Sequence, residues 1–188
     1  MKGKDIVITG LQSWDIPIGS NAIDIAKEFA KDNRVLYVNS PLDMMTMLRN
    51  KPTPETKRRL EVLNRRKKPL RKISQNLWVL DMPFWVWSVN GLPDGMLFDI
   101  FNKRNNRKIF SYIKKVMKQL NFSDPIHFID NDIYRSQYSK KMLEPSLSVY
   151  YRRDNLQPFA YWKKHVQRLE PQIIRNSDIA VCNSIQLA

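Results

Sequence analysis

The residues able to do chemistry lie just past short apolar runs. Asp154 closes the run Val149-Tyr150-Tyr151-Arg152-Arg153-Asp154. A carboxylate beside two arginines stays ionised, ready to orient hydroxyl groups or to assist proton transfer. The same trio can equally be a structural salt-bridge knot. Asp130, Asn131 and Asp132 follow Ile126-His127-Phe128-Ile129, and Asn183-Ser184 follows Ile179-Ala180-Val181-Cys182. Beyond Asp5-Ile6-Val7-Ile8-Thr9-Gly10 comes a loop through Gln12, Trp14 and Asp15 to Gly19-Ser20-Asn21. A helix opening there presents backbone amides and a positive dipole end to a phosphate or a sugar hydroxyl, or is simply a capped helix start. Trp14 is either a platform for stacking on a sugar or a packing residue.

Residue types exclude several other chemistries. Only Gly10 and Gly19 border the first loop, so the three close glycines of a dinucleotide fingerprint are missing, as is a Gly-Lys-Ser/Thr phosphate loop. His127 sits within an apolar run and reads as a core residue; His165 falls on a basic helix. With two histidines and Cys182 as the single cysteine, no zinc site, Ser-His-Asp triad or internal disulfide is expected, and no metal. A lone cysteine suits a reducing compartment.

Elements of alternating type must position these groups. The β-branched run at Asp5-Ile6-Val7-Ile8-Thr9 predicts a first strand; Ser20 or Asn21 caps a helix carrying Ile23, Ala26, Phe29 and Ala30; Val35-Leu36-Tyr37-Val38 is a second strand. Leu77-Trp78-Val79-Leu80, Ile126 to Asp130, Leu147 to Tyr151 and Ile179 to Cys182 supply four more. A long helix begins at Pro93-Asp94 and runs to Leu120, and another spans 159–176 with a kink or restart at Pro171. Residues 41–72 read as an insertion holding a Met-rich stretch and a basic helix from Glu55 to Lys68. Strand, helix, strand alternation predicts an α/β, Rossmann-like three-layer sandwich with a mostly parallel sheet of about six strands. In such a sheet, ligands bind outside the carboxyl ends of the strands, where strand order reverses. All the polar groups singled out above fall at those ends.

The 188 residues fit one domain, and 43% hydrophobic residues give it core material. No apolar window reaches the length of a membrane span, and the first residues run into a strand rather than a signal peptide. The formal charge of +14 is regional. Arg49 to Lys72 holds eleven basic residues against Glu55 and Glu61, and Lys103 to Lys118 holds seven with no acid, which leaves the rest slightly acidic. Such segments are solvated helix faces or surfaces for an anionic partner. No recognised nucleic-acid motif or aromatic–basic strand pattern accompanies them.

Together these stretches resemble the amino-terminal domain of a GT-B fold glycosyltransferase, of the retaining family-4 kind found in bacterial surface-polysaccharide synthesis. The resemblance rests on Asp5 to Gly10 with Gln12-Ser13-Trp14-Asp15 and Gly19-Ser20-Asn21, on Arg34-Val35-Leu36-Tyr37-Val38-Asn39, and on Val149 to Asp154 followed by Leu169-Glu170 and Ser177 to Ser184. It implies the acceptor half of a two-domain enzyme that moves a sugar from a nucleotide-sugar donor to a lipid-linked or polysaccharide acceptor. Trp14, Asp15, Asp130, Asn131 and Arg153 would contact the acceptor and Asp154 would position hydroxyl groups. Gly19, Ser20, Asn21, Asn183 and Ser184 would lie near the donor phosphates. No cofactor is expected on this domain alone; the donor would sit on a carboxy-terminal domain that the chain, stopping at Ala188, lacks. The implied location is the cytoplasmic face of a membrane, with Lys57, Arg58, Arg65, Arg66, Lys67 and Lys68 resting on anionic lipid. The competing reading is an α/β module without catalysis that uses the basic helices to bind nucleic acid or an acidic protein.

Overall fold

The computed structural model describes residues 1–17, 19–48 and 53–187. Arg49 and Lys51 of the first cationic segment, and Ala188, lie outside them. Seven strands form one sheet in the order β3-β4-β2-β1-β5-β6-β7: β1 (Asp5–Gly10), β2 (Arg34–Val38), β3 (Leu70–Ser74), β4 (Leu77–Leu80), β5 (Ile126–Asp130), β6 (Leu147–Arg152) and β7 (Ile179–Cys182). All neighbours are parallel except β3 and β4. The predicted α/β sandwich is therefore present, with six parallel strands in the expected places and one antiparallel edge strand in addition.

Side-chain alternation splits the core in two. Ile6, Ile8, Val35, Tyr37, Leu77 and Val79 point to one face, where Ala22, Ile23 and Ala26 of α1 (Asn21–Phe29) cover them. Val7, Leu36, Val38 and Leu80 point to the other, against Ile109, Phe110, Ile113 and Val116 of α4 (Met96–Gln119). On that second face Ile129 and Tyr150 meet Val166, Leu169 and Ile173 of α7 (Val166–Asn176). Two short helices, α5 (Ser139–Leu143) and α6 (Ala160–Lys163), complete this layer's connections. Helices on both faces leave the strand ends open, which is where an open parallel sheet binds ligands.

Several element ends differ from expectation for physical reasons. The insertion forms α2 (Met44–Leu48) and α3 (Pro54–Leu63). Thr53 caps α3 reciprocally with Thr56, but the helix stops at Leu63 rather than Lys68. Arg65 there takes a left-handed conformation, φ 59°. The 159–176 helix breaks at Lys164–His165, not at Pro171, which is inside α7. His165 ends its first piece because the buried ring stacks on Phe98, with centroids 4.2 Å apart, and its Nδ1 meets Asp94 Oδ1 at 2.9 Å. The His165 backbone, at φ −122° and ψ −13°, leaves helical geometry there. Asn105 and Asn106, poor members of the α4 stripe, are clamps. Asn105 bonds both backbone groups of Trp87, and Asn106 donates to the Tyr134 carbonyl.

Candidate functional site

β1 and β5 are neighbours, but the chain leaves them in opposite directions, so the strand order reverses between them. Their last residues, Gly10 and Asp130, are register partners. A Cβ on Gly10 would stand 3.2 Å from Asp130 Oδ2 and 3.3 Å from the Tyr37 hydroxyl. The bare backbone of Gly10 is thus what lets the Asp130 carboxylate fold over the end of β1.

Asp130 is fully buried. Its Oδ2 accepts from Arg153 Nη1 at 3.2 Å, and its Oδ1 has no hydrogen-bond partner among the described residues. Burial pushes the carboxyl up from 3.8 to about 6; Arg153 opposes that rise, and Asp154 and Asp132 add to it. Arg153 reaches this position from the end of β6 and is itself almost buried. The same Nη1 donates to Gln12 Oε1 at 3.0 Å, and Nε donates to Asp154 Oδ2 at 2.9 Å. Ser20 Oγ donates to Gln12 Oε1 as well. The phenol of Tyr37, raised far above its usual range by burial and then by Asp130, donates to the Gln12 carbonyl at 2.8 Å.

Ser20 occupies the N-cap position of α1 with extended backbone, yet its side chain makes no capping bond. The expectation that Ser20 or Asn21 caps this helix is corrected here: the Ser20 hydroxyl is spent on Gln12, and the Asn21 amide donates to the Tyr151 hydroxyl at 3.1 Å. The first turn of α1 consequently lacks a side-chain acceptor while facing Gln12 and Arg153, an arrangement suited to an anionic or hydroxyl oxygen. Asp154, half-exposed, is the carboxylate of this cluster that meets solvent. Asp130 lies beneath, holding Arg153 in orientation.

The other expected residues are distributed differently. Asn131 is fully buried in a left-handed conformation, φ 56°. Its amide donates to the Asp154 carbonyl at 3.1 Å, which ties the end of β5 to the loop after β6. Asp15 is paired with Arg71 at 2.6 Å, and Trp14 packs edge-on against Tyr37. Asn183 and Ser184 follow β7, two strands out from the reversal. Arg58 is engaged with the buried Asp81 at 2.9 Å, Asn39 donates to the same carboxylate at 2.6 Å, and Lys67 pairs with Glu61. The two bonds to Asp81 brace the ends of β2 and β4. Among the described residues, no three His, Cys, Asp or Glu side chains converge as metal ligands, and no helix is long and apolar enough to cross a membrane.

Gln12 and Tyr37 belong to the cluster, although the sequence assigned neither of them a role in binding or catalysis. Gln12 stands in the loop after the first strand, a position signal; Tyr37 is one apolar-looking member of a buried strand. His127 matches its core reading. Burial lowers its pKa to about 3, and Nε2 meets the Thr9 hydroxyl at 2.9 Å. No protein-family model matches the chain, and no curated protein matches it.

Proposed function

We propose that the chain is the acceptor-side half of a GT-B fold glycosyltransferase, acting with a nucleotide-sugar donor on a lipid-linked or polysaccharide acceptor at the cytoplasmic face of a membrane. The observation that carries this reading is the convergence of Arg153, Asp154, Gln12 and Ser20 beside the uncapped start of α1, at the reversal of strand order. An arginine, a solvent-facing carboxylate and free backbone amides are the groups that bind hydroxyls and phosphate oxygens. In this reading Asp154 orients acceptor hydroxyls, Arg153 bridges acceptor and donor, and Gly19 to Asn21 face the donor phosphates. Asp130 is a positioning residue that acts through Arg153. Trp14, Asp15 and Asn131 shape the acceptor side through the loops they hold, and Asn183 and Ser184 lie at its outer rim. Of the cations expected at the membrane, Lys57, Arg65, Arg66 and Lys68 stay in the membrane-facing part of the reading, while Arg58 and Lys67 are taken up by Asp81 and Glu61.

The test is a screen of nucleotide sugars against saccharide and polyprenyl-phosphate-linked acceptors with the full-length gene product, following hydrolysis and transfer. Asp154→Asn should reduce transfer by about 10²-fold or more with the fold intact, and Arg153→Ala, made together with Asp130→Asn so that no buried carboxylate is left unpaired, by as much. Transfer that survives in both variants, or no transfer with any donor, refutes the proposal.

A further inference from the structure

The start of α4 exposes an unusual set of side chains. Met96 is 79% exposed, Leu97 46% and Ile100 43%; beside them Trp85 is 38% and Trp87 42% exposed. Met96 and Ile100 share one ridge of α4, next to the ridge of Leu97 and Phe101 on which Trp87 packs. The Trp85 and Trp87 rings lie 5.3 Å apart, and Trp87 meets Phe101 at 5.5 Å, on the same helix face as Leu97. Asn105 bonds both the amide and the carbonyl of Trp87, which fixes that residue's backbone against α4.

The same helix continues into exposed Lys103, Arg104 and Arg107, for which no ion pair occurs among the described residues. Lys108 lies over the Phe84 ring at 4.5 Å and over Trp85 at 5.7 Å. The acids at the start of the helix are neutralised from within: Arg168 holds Asp94 at 2.7 Å and Asp99 at 3.0 Å. The surface is therefore an apolar, tryptophan-bearing end that passes into an uncompensated cationic stripe. α3 differs, because its Arg58 is committed to Asp81 and its flanking Lys67 to Glu61.

We infer that the first four turns of α4, with Trp85 and Trp87, are a docking surface for an anionic lipid bilayer. Exposed apolar area of this kind needs a partner, and the pairing of indoles with cations fits the interfacial zone, where rings sit at headgroup depth and Lys and Arg meet lipid phosphate. A nucleic acid would use the cations but leave Met96 and Ile100 in water. α4 begins on the side of the sheet where β4 ends, the side that carries Arg153 and Asp154. This inference deepens the reading of a membrane-presented acceptor, and it places the bilayer at the rim of that site.

The experiment is cosedimentation of the full chain with vesicles of equimolar phosphatidylglycerol and phosphatidylcholine, against phosphatidylcholine alone, at low salt. Binding should require the anionic lipid. The triple variant Lys103→Glu, Arg104→Glu, Arg107→Glu should weaken it about 100-fold or more, and Met96→Ser with Ile100→Ser about tenfold. Arg66→Glu with Lys68→Glu, on the loop after α3, should change it by less than the triple variant does. All these side chains are exposed, and an unchanged far-UV spectrum and thermal midpoint keep folding out of the result. The inference is overturned by no vesicle binding, by binding indifferent to Met96→Ser with Ile100→Ser, by tighter binding to duplex or single-stranded nucleic acid, or by a stable dimer that hides the patch. Vesicle binding does not depend on sugar transfer, so failure of either proposal leaves the other testable.

Discussion

Replacing Asp130 by Asn should make the protein more stable at neutral pH. The carboxyl is raised from 3.8 to about 6 because it is buried, even with Arg153 beside it. A carboxyl whose folded pKa lies above its unfolded one favours the fold most when protonated. Below about pH 3 both states hold the proton and no penalty exists. As pH rises from about 4 to 6 the unfolded chain releases its proton first and stability drains away; above about 6 the full cost remains. Roughly two pKa units correspond to about 3 kcal/mol. Asparagine does not titrate, so the unfolding free energy of the variant minus that of the native chain should climb by about 3 kcal/mol between about pH 3 and pH 7. Arg153 keeps Asp154 and Gln12 as partners, so its loss of one acceptor is a pH-independent offset of about 1 kcal/mol. Urea titrations at a series of pH values, with unchanged m, measure the difference directly. A flat or falling difference would refute the reasoning, since it would mean that attraction to Arg153 outweighs burial.

Three further expectations follow from named contacts. Gly10→Ala pushes a methyl against Asp130 and Tyr37, both fixed by their own bonds, and should lower stability by about 1–3 kcal/mol in a thermal melt. Arg58→Ala leaves the buried Asp81 carboxylate with Asn39 as its remaining side-chain partner and should cost about 3 kcal/mol, whereas Arg66→Ala on the exposed loop should stay within about 0.5 kcal/mol. Pro171→Ala restores an amide inside α7 and should stabilise by about 1–3 kcal/mol, seen as a higher midpoint; an unchanged midpoint would mean that α7 is bent to suit the proline.

The parallel strands were legible because each is a short apolar run, rich in β-branched or aromatic residues, between turn residues; this holds even for β7, which is largely exposed. β3 was not: Leu70-Arg71-Lys72-Ile73-Ser74 is exposed along its outer half, and its identity depends on pairing with β4 rather than on its own hydrophobicity. The break before α7 was misplaced because a proline is a visible signal, while the packing of His165 against Phe98 and Asp94 is a tertiary one. In the candidate site, the strand-end position of Asp130, Arg153 and Asp154 could be read from the sequence, but their mutual geometry could not. Gln12 accepts from Ser20 and Arg153 at once, a role that exists only when loops far apart in the chain meet. Asp15 and Arg58 carried the right chemistry for ligand contact, and nearby opposite charges, Arg71 and Asp81, took them up instead.

The placement of Gly10 against Asp130 has a consequence for the order in which the molecule assembles. Strands β1 to β4 pair among themselves within the first eighty or so residues, and β5 to β7 pair within the last sixty or so. The two halves meet along a single seam, where Ile6 lies against Ile126. At its foot, Asp5 holds Arg34 at 2.7 Å and accepts from the Ser123 amide at 2.7 Å; at its head stands the Asp130–Arg153 cluster. Loop-closure entropy makes this long-range seam the slowest pairing to form. Neither half alone can assemble the cluster, so its presence reports that the whole sheet has closed.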